Sequence, residues 1–248
     1  MKCPKKNLLN KDNFFDMRCP ARGNITRCIR CGTCCLKGGP VLHHQDKQIL
    51  LSGQVGHGNL ITVRKGELAY NPLKDGLEQV PQELVKVAGR GEGWSCCFYD
   101  EKGSSCMIYG NRFLECRLLK CWDPSGLIRV IGKDTIRRSD IINANDPVME
   151  IIEIHERDCP VGEVHALISG MSSAPADPEV LSRLSEIVQR DISIRSYAMS
   201  ELRLGREFEL FIFGRPLVKI LGDRGLSVSL HEDSPGKRSK RNVKREII

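Results

Sequence analysis

The sequence predicts an α+β protein in which a small irregular domain, stabilised by metal, precedes a helical segment and a C-terminal β-hairpin. Three observations support this fold class. Cysteines are concentrated in two groups between positions 28 and 121, and short strand-like runs lie between these groups. The second half is nearly free of cysteine and carries clear helix-start signals, followed by apolar runs separated by glycine turns.

The first cysteine group is the tightest motif in the chain, with Cys28, Cys31, Cys34 and Cys35 inside eight residues. Thiolates at two-residue spacing can turn inward on one loop and bind a single ion. Gly32 permits the positive φ that this reversal favours. Because consecutive side chains point apart, the adjacent Cys34 and Cys35 favour two metals, or two corners of a larger cluster, over one small ion.

The second group, about sixty residues later, contains Cys96, Cys97, Cys106, Cys116 and Cys121, of which the last four are the expected ligands. The runs 95–99 and 105–109 bracket a polar turn and predict a hairpin with a cysteine near one end of each strand. Residues 111–121 predict a short helix that carries the last two cysteines. No role is assigned from sequence to the remaining cysteines, which are Cys3, Cys19, Cys96 and Cys159.

Metal binding explains this use of cysteine better than disulfides do. Disulfide frameworks belong to short secreted chains, and the basic N-terminus is not followed by the apolar region of a secretory signal. No run of eighteen apolar residues predicts a membrane span. We therefore expect metal-bound thiolates in a reducing, cytoplasmic compartment and no contact with a membrane.

The net charge of +7 is concentrated at the two ends of the chain. Residues 1–30 carry eight Lys/Arg against two Asp, and residues 232–248 carry six against three acids. Basic clusters can bind nucleic acid, but the tail has no aromatic residue for base stacking. The tail is therefore predicted to be a disordered, solubilising end, and another protein is a better expected partner than nucleic acid.

Local patterns predict the remaining elements in order. In the first half they indicate a short helix ending at Gly53, strands at 61–64 and 84–88, and a glycine-rich linker at 89–93. Asp146-Pro147 and Asp177-Pro178 are helix starts, because a side-chain cap precedes proline in the first turn. A further short helix is predicted at 161–168. After Gly205 the pattern predicts strands at 208–213, 217–221 and 226–230.

These elements suggest four regions. They are a basic N-terminal arm (1–27), a cysteine-cluster metal-binding domain (28–125), a helical segment with terminal strands (126–230), and a basic disordered tail (231–248).

The combined cysteine motif resembles the YkgJ-type cysteine-cluster family, also called the CxxCxxCC family. The similarity rests on Cys28-x2-Cys31-Gly-x-Cys34-Cys35, Cys97-Phe-Tyr-Asp, Cys106-Met-Ile-Tyr109, Arg112 and Cys116-Arg117, and it covers about positions 28–122. The resemblance implies chelation of zinc or iron. A flagellin lysine methylase group in the family further implies an iron–sulfur centre that supports methyl transfer. Where the family usually has Arg-Pro, this chain has Arg112-Phe113.

Two functions follow as alternatives. The first is an iron–sulfur protein that supports redox or protein-modifying, methyl-transfer-like chemistry. The second is a non-catalytic zinc-binding interaction module with an acidic or nucleic-acid partner. The expected metal ligands are the eight cysteines Cys28, Cys31, Cys34, Cys35, Cys97, Cys106, Cys116 and Cys121. His43 is either a further ligand or proton carrier beside the centre, or a polar residue at a helix start.

Overall fold

The computed structural model describes residues 28, 30, 32–120, 122–171, 177–228 and 243–245. The chain divides into two compact units: unit 1 comprises 1–61, 69–78 and 84–137, and unit 2 comprises 62–68, 79–83 and 138–248. Two short segments within the predicted cysteine domain, 62–68 and 79–83, therefore belong to unit 2. The predicted ligands Cys31 and Cys121, the basic arm and most of the tail lie outside the described residues.

Unit 1 is built from short helices and two-stranded sheets. Its helices are α1 (Thr33–Leu36), α2 (Lys47–Leu51), α3 (Leu114–Leu118) and α4 (Ser125–Ile128). The strands that lie in it or cross its edge are β1 (Leu60–Val63), β2 (Leu68–Asn71), β3 (Gly76–Gln79), β4 (Leu84–Val87), β5 (Gly89–Arg90), β6 (Ser95–Cys96), β7 (Tyr99–Asp100) and β8 (Ser105–Cys106). They pair as β1 with β4, β2 with β3, β5 with β6, and β7 with β8. Leu42, Val85, Phe113 and Ile136 are among its fully buried side chains.

The mixture of helices and small strand pairs confirms the predicted α+β class. The predicted strands at 61–64 and 84–88 correspond to β1 and β4, and the helix predicted to end at Gly53 corresponds to α2.

The predicted glycine-rich linker at 89–93 is wrong, because this segment forms one side of a hairpin. Gly89 pairs with Cys96 and Arg90 pairs with Ser95 in an antiparallel sheet. A side chain at Gly89 would place its Cβ only 2.6 Å from the carbonyl oxygen of Trp94. Glycine at position 89 therefore allows the two backbones to approach closely. The hairpin predicted from 95 to 109 is shorter than expected, since it consists of β7 and β8 alone.

Unit 2 is mainly helical. Its elements are α5 (Pro147–Asp158), α6 (Val161–Gly170), α7 (Pro178–Ser200), α8 (Glu209–Phe213), α9 (Leu217–Gly222), β9 (Leu226–Val228) and β10 (Val243–Arg245). Both predicted helix starts are confirmed: the Asp146 side chain accepts from the Val148 amide and the Asp177 side chain accepts from the Glu179 amide. None of the helices among the described residues combines the length and the apolarity that crossing a membrane requires.

The predicted C-terminal strands at 208–213 and 217–221 are wrong, because both segments are helical. Leu217, Ile220 and Leu221 are fully or almost fully buried at helical spacing in α9. Short apolar runs fit either period, so the pattern alone could not separate helix from strand. The strand predicted at 226–230 appears as β9, which pairs antiparallel with β10, a segment of the tail that was predicted to be disordered.

Candidate metal centre

Two described residues beside the first cysteines have left-handed backbones. Arg30 has φ of 55° and Gly32 has φ of 80°. The Arg30 amide donates to the Cys28 sulfur at 3.4 Å. Hydrogen bonds of this kind orient a thiolate and offset its charge once it binds a metal. Helix α1 follows directly, and the Leu36 amide donates to the Gly32 carbonyl at 2.9 Å.

Tyr99 packs directly against this turn. A Cβ added at Gly32 would lie 1.9 Å from the Tyr99 hydroxyl oxygen and 2.4 Å from the ring carbon that bears it. Tyr99 is itself buried on β7. Gly32 is therefore required both by its positive φ and by the aromatic ring beside it.

Replacement of Gly32 by alanine should lower the free energy of unfolding of unit 1 and reduce its metal content. A left-handed backbone costs a non-glycine residue about 1–2 kcal/mol, and the clash with Tyr99 adds to this cost. Gly53 is a matched control, since it has φ of 73° but no atom within 4 Å of an added Cβ. Denaturant titration of Gly32→Ala and Gly53→Ala measures the difference, and equal losses would show that the contact with Tyr99 is unimportant.

The sulfur atoms of Cys34 and Cys35 are close together, contrary to the expectation that adjacent side chains diverge. The two Sγ atoms lie 3.9 Å apart in α1. Two thiolates on one tetrahedral zinc lie about 3.8 Å apart, given a Zn–S bond of about 2.3 Å. The 3.9 Å separation of the two sulfurs is therefore compatible with two ligands of one ion.

Three further cysteines of unit 1 have charges that influence one another or this pair. Cys96 lies on β6, Cys106 on β8 and Cys116 on α3. Burial, and then the charges of Cys34 and Cys96, raise the pKa of the Cys116 thiol well above its ordinary value. Burial and the charge of Cys106 likewise raise the pKa of Cys96. Helix α1 also packs against β6, so these thiols lie in one part of the unit, although among the described residues no three of their sulfur atoms lie within 4.8 Å of one another.

The charges of Cys34 and Cys96 oppose ionisation of Cys35 and Cys116 and raise their pKa values. Within the vicinal pair, the hydrogen bond between the thiols lowers the pKa of Cys34 to about 7 and raises that of Cys35. The pKa of Cys35 is raised further by burial and by the charges of Cys34, Cys116 and Cys96. A bound metal ion reverses this order, since it deprotonates coordinating thiols outright. All eight cysteines among the described residues are free thiols, so these sulfurs are available for a metal.

Cys96 and Cys97 have different surroundings, although they are adjacent. The Cys97 sulfur lies 3.8 Å from the Asn59 carbonyl oxygen, to which the thiol donates. Burial and the charge of Cys96 raise the pKa of Cys97 to about 11, and no other cysteine is among its main influences. Cys96 is the last residue of β6, whereas Cys97 lies in the turn that follows it. The structure thus brings Cys96 toward the cysteines of α1, β8 and α3, a placement that sequence reasoning missed.

An arginine with an unsatisfied nitrogen adjoins the cysteines. Arg112 donates from Nη1 to the Cys116 carbonyl at 3.2 Å, and its charge lowers the pKa of Cys34. Its guanidinium carbon lies 4.2 Å from the centre of the Tyr109 ring, and that of Arg30 lies 4.4 Å from the same ring. The Nε atom of Arg112 is buried and has no hydrogen-bond partner. A buried unpaired donor of this kind is costly, and a negatively charged metal–thiolate group is a suitable partner for it.

Together these features fit a thiolate-bound metal. Cys28 is exposed at the turn, Cys34 is exposed on α1, and Cys35, Cys106 and Cys116 are partly buried. The sulfur-rich donor set suits zinc, iron–sulfur clusters and copper(I) rather than magnesium or calcium.

His43 is linked to the helix that carries Cys116. Its Nδ1 lies 2.8 Å from the Lys133 carbonyl oxygen and its Nε2 lies 3.4 Å from Glu115 Oε1. Burial would lower its pKa, but Glu115 and the Lys133 carbonyl outweigh burial and raise it. Asp46 accepts from the amides of His43 and Leu114, so it fixes the His43 turn against α3.

Unit 2 contains a second group of metal-ligand residue types. Ligating atoms of His155, Cys159 and Asp191 all lie within 4.8 Å of one another, and all three residues are fully buried. However, Asp191 already accepts from His155 Nε2 at 2.6 Å, Arg195 Nε at 2.9 Å and the Leu217 amide at 3.0 Å. These bonds occupy the carboxylate, and the positive charge of Arg195 disfavours a further cation. We therefore interpret this group as a buried hydrogen-bond network.

This network predicts a pH dependence of stability. Burial lowers the pKa of His155 from 6.5 to about 4, so the folded state keeps the ring neutral while the unfolded chain binds a proton. The free energy of unfolding should therefore fall as pH decreases from about 6.5 to about 4, by about 3 kcal/mol at 1.36 kcal/mol per pKa unit. Urea titrations followed by helical circular dichroism, which unit 2 dominates, measure this slope. His155→Gln should flatten it, and an unchanged slope in that variant would assign it to other groups.

Comparison with known proteins supports the metal centre over about half of the chain. Residues 27–144 match the family model CxxCxxCC, described as a "Putative zinc- or iron-chelating domain". The YkgJ-type resemblance of the cysteine motif is thereby confirmed over these residues. No curated protein and no solved structure matches the chain.

Proposed function

From the match of residues 27–144 to a zinc- or iron-chelating domain, we propose that this protein binds zinc or iron in one centre formed by both cysteine groups. The observation that carries the proposal is the 3.9 Å approach of the Cys34 and Cys35 sulfurs on a helix that packs against β6, the strand that carries Cys96. The proposed ligands come from Cys34, Cys35, Cys96, Cys106 and Cys116 together with Cys28, Cys31 and Cys121. Cys96 takes the place that the family motif gives to Cys97.

The number of thiols favours a centre with more than one metal ion. A tetrahedral zinc site takes four ligands, and the proposed cysteine ligands exceed that number. An iron–sulfur cluster with spare thiols or a pair of zinc ions satisfies this count. The iron–sulfur form would supply electron transfer, and it is the form on which redox or protein-modifying chemistry depends.

The chain's own contribution to such a centre is electrostatic. The charge of Arg112 lowers the pKa of Cys34, and the charge of Arg90 opposes the rise that burial causes in the pKa of Cys96. Positive charges beside a metal–thiolate centre offset its net negative charge, and such charges and hydrogen bonds set reduction potentials. We propose Arg112 as the residue that stabilises the reduced form of an iron–sulfur centre.

A zinc-binding interaction module is the alternative function, and one observation favours it. The 3.9 Å separation of the Cys34 and Cys35 sulfurs fits two ligands of one tetrahedral zinc. In this form the centre would stabilise unit 1, and another protein in a reducing cytoplasm is the partner that we propose for it.

Anaerobic purification followed by metal analysis and visible spectroscopy distinguishes the two functions. A brown protein with iron, acid-labile sulfide and broad visible absorbance supports the iron–sulfur form. A colourless protein with stoichiometric zinc supports the interaction module. A protein that holds neither metal after anaerobic purification and reconstitution would contradict both.

A further inference from the structure

Unit 1 contains a cavity that the cysteine centre does not use. Its volume is about 420 Å³, within the 300–1,000 Å³ range of small-molecule sites. The lining residues are His43, Gln45, Leu114, Arg129, Val130, Lys133 and Asp134.

The lining combines positive charge with an apolar wall. Arg129 and Lys133 are exposed cations four positions apart, and Asp134 is the one carboxylate among the lining residues. Leu114 and Val130 are partly buried and supply aliphatic surface. A guanidinium and an ammonium recognise carboxylate or phosphate groups, whereas the aliphatic side chains favour a hydrocarbon segment.

The inner wall of the cavity is rigid. His43 is 1 % exposed, and its two ring nitrogens are held by the Lys133 carbonyl and by Glu115. Asp46, which is completely buried, accepts from the amides of His43 and Leu114. A wall fixed in this way loses little conformational freedom when a ligand enters, which favours binding.

We propose that this cavity binds a small organic anion, with its anionic head at Arg129 and Lys133 and its apolar segment against Leu114 and Val130. The site lies on the same short helix as Cys116, two residues after Leu114. The proposal does not require a particular metal in the cysteine centre.

Equilibrium dialysis of the full chain with radiolabelled hexanoate tests the site, with the metal content of each sample measured in parallel. Hexanoate should bind at one equivalent per chain, while hexylamine, with the same hydrocarbon segment and the opposite charge, should not compete. Arg129→Gln combined with Lys133→Gln should weaken binding by about tenfold or more. Lys65→Gln combined with Lys102→Gln is the control, because it removes the same charge at exposed positions outside the cavity and should leave binding unchanged.

Three results would overturn the proposal: no stoichiometric binding of hexanoate, equal competition by hexylamine, or equal weakening in the control variant. Inorganic phosphate separates the two parts of the ligand, since it carries charge without a hydrocarbon segment. Binding of phosphate as tight as that of hexanoate would contradict the role of Leu114 and Val130. If the full chain held no metal but bound hexanoate as expected, the result would contradict the proposed metal centre and support this site.

Discussion

Replacement of Cys96 by serine should release most of the bound metal, whereas replacement of Cys97 should leave the metal content nearly unchanged. Cys96 interacts electrostatically with Cys34, Cys106 and Cys116, so it is grouped with these thiols. Cys97 instead donates to the Asn59 carbonyl. Loss of a ligand should weaken metal binding by more than the roughly 10–100-fold that is typical of supporting residues.

The two variants are matched controls for one another, because they remove the same atom at neighbouring positions. Metal content per chain is measured by mass spectrometry after anaerobic purification, and circular dichroism confirms that both variants fold. Loss of metal in Cys97→Ser with retention in Cys96→Ser would reverse the assignment and restore the ligand set expected from the sequence.

Removal of the metal should unfold the cysteine-bearing segments of unit 1 while unit 2 keeps its helices. Apparent binding free energies of structural zinc are about 10–16 kcal/mol, and this energy is folding energy where the site does not exist beforehand. Helix α1 has four residues and strands β6 and β8 have two each, so they have little stability of their own. Unit 2 buries a continuous core that includes Val164, Leu184, Ile187 and Leu221.

Hydrogen exchange with and without a chelator measures this effect. Amides of 32–38, 95–107 and 112–118 should lose protection when the metal is removed, and amides of α5, α6 and α7 should keep it. Loss of protection confined to unit 2, or no change in either unit, would show that metal does not stabilise the cysteine segments.

The sequence was sufficient for features that depend on local chemistry. Asp146-Pro147 and Asp177-Pro178 predicted the starts of α5 and α7, because a capping carboxylate and a proline in the first turn act within a few residues. The same holds for the positive φ of Gly32, which the sequence predicted from the reversal between the cysteines. Tertiary context decided the cases that failed. Residues 217–221 are helical because Leu217, Ile220 and Leu221 fill a core, and nothing local separates that pattern from a strand.

The choice between Cys96 and Cys97 could not be made from spacing, because the two positions are adjacent in the sequence. Cys96 is the last residue of β6 and pairs with Gly89, whereas Cys97 lies just beyond the strand, so the two positions differ only once the hairpin is known. That pairing depends on a hairpin at 89–96, which glycine content had indicated to be a linker. The role of Arg112 likewise became visible only from its unpaired Nε and its contact with the Cys116 carbonyl.

The metal content of Cys106→Ser tests most directly whether both cysteine groups form one centre. Cys106 lies on β8, in the second group, so its loss should also release the metal bound to Cys34 and Cys35 if the centre is shared. Cys159→Ser is the control, since Cys159 is a buried cysteine of the unit 2 core and should not affect metal binding. The account predicts that Cys106→Ser loses most of its metal while Cys159→Ser keeps a full complement. A Cys106→Ser protein that retained a full complement, or the share held by the first group alone, would contradict it.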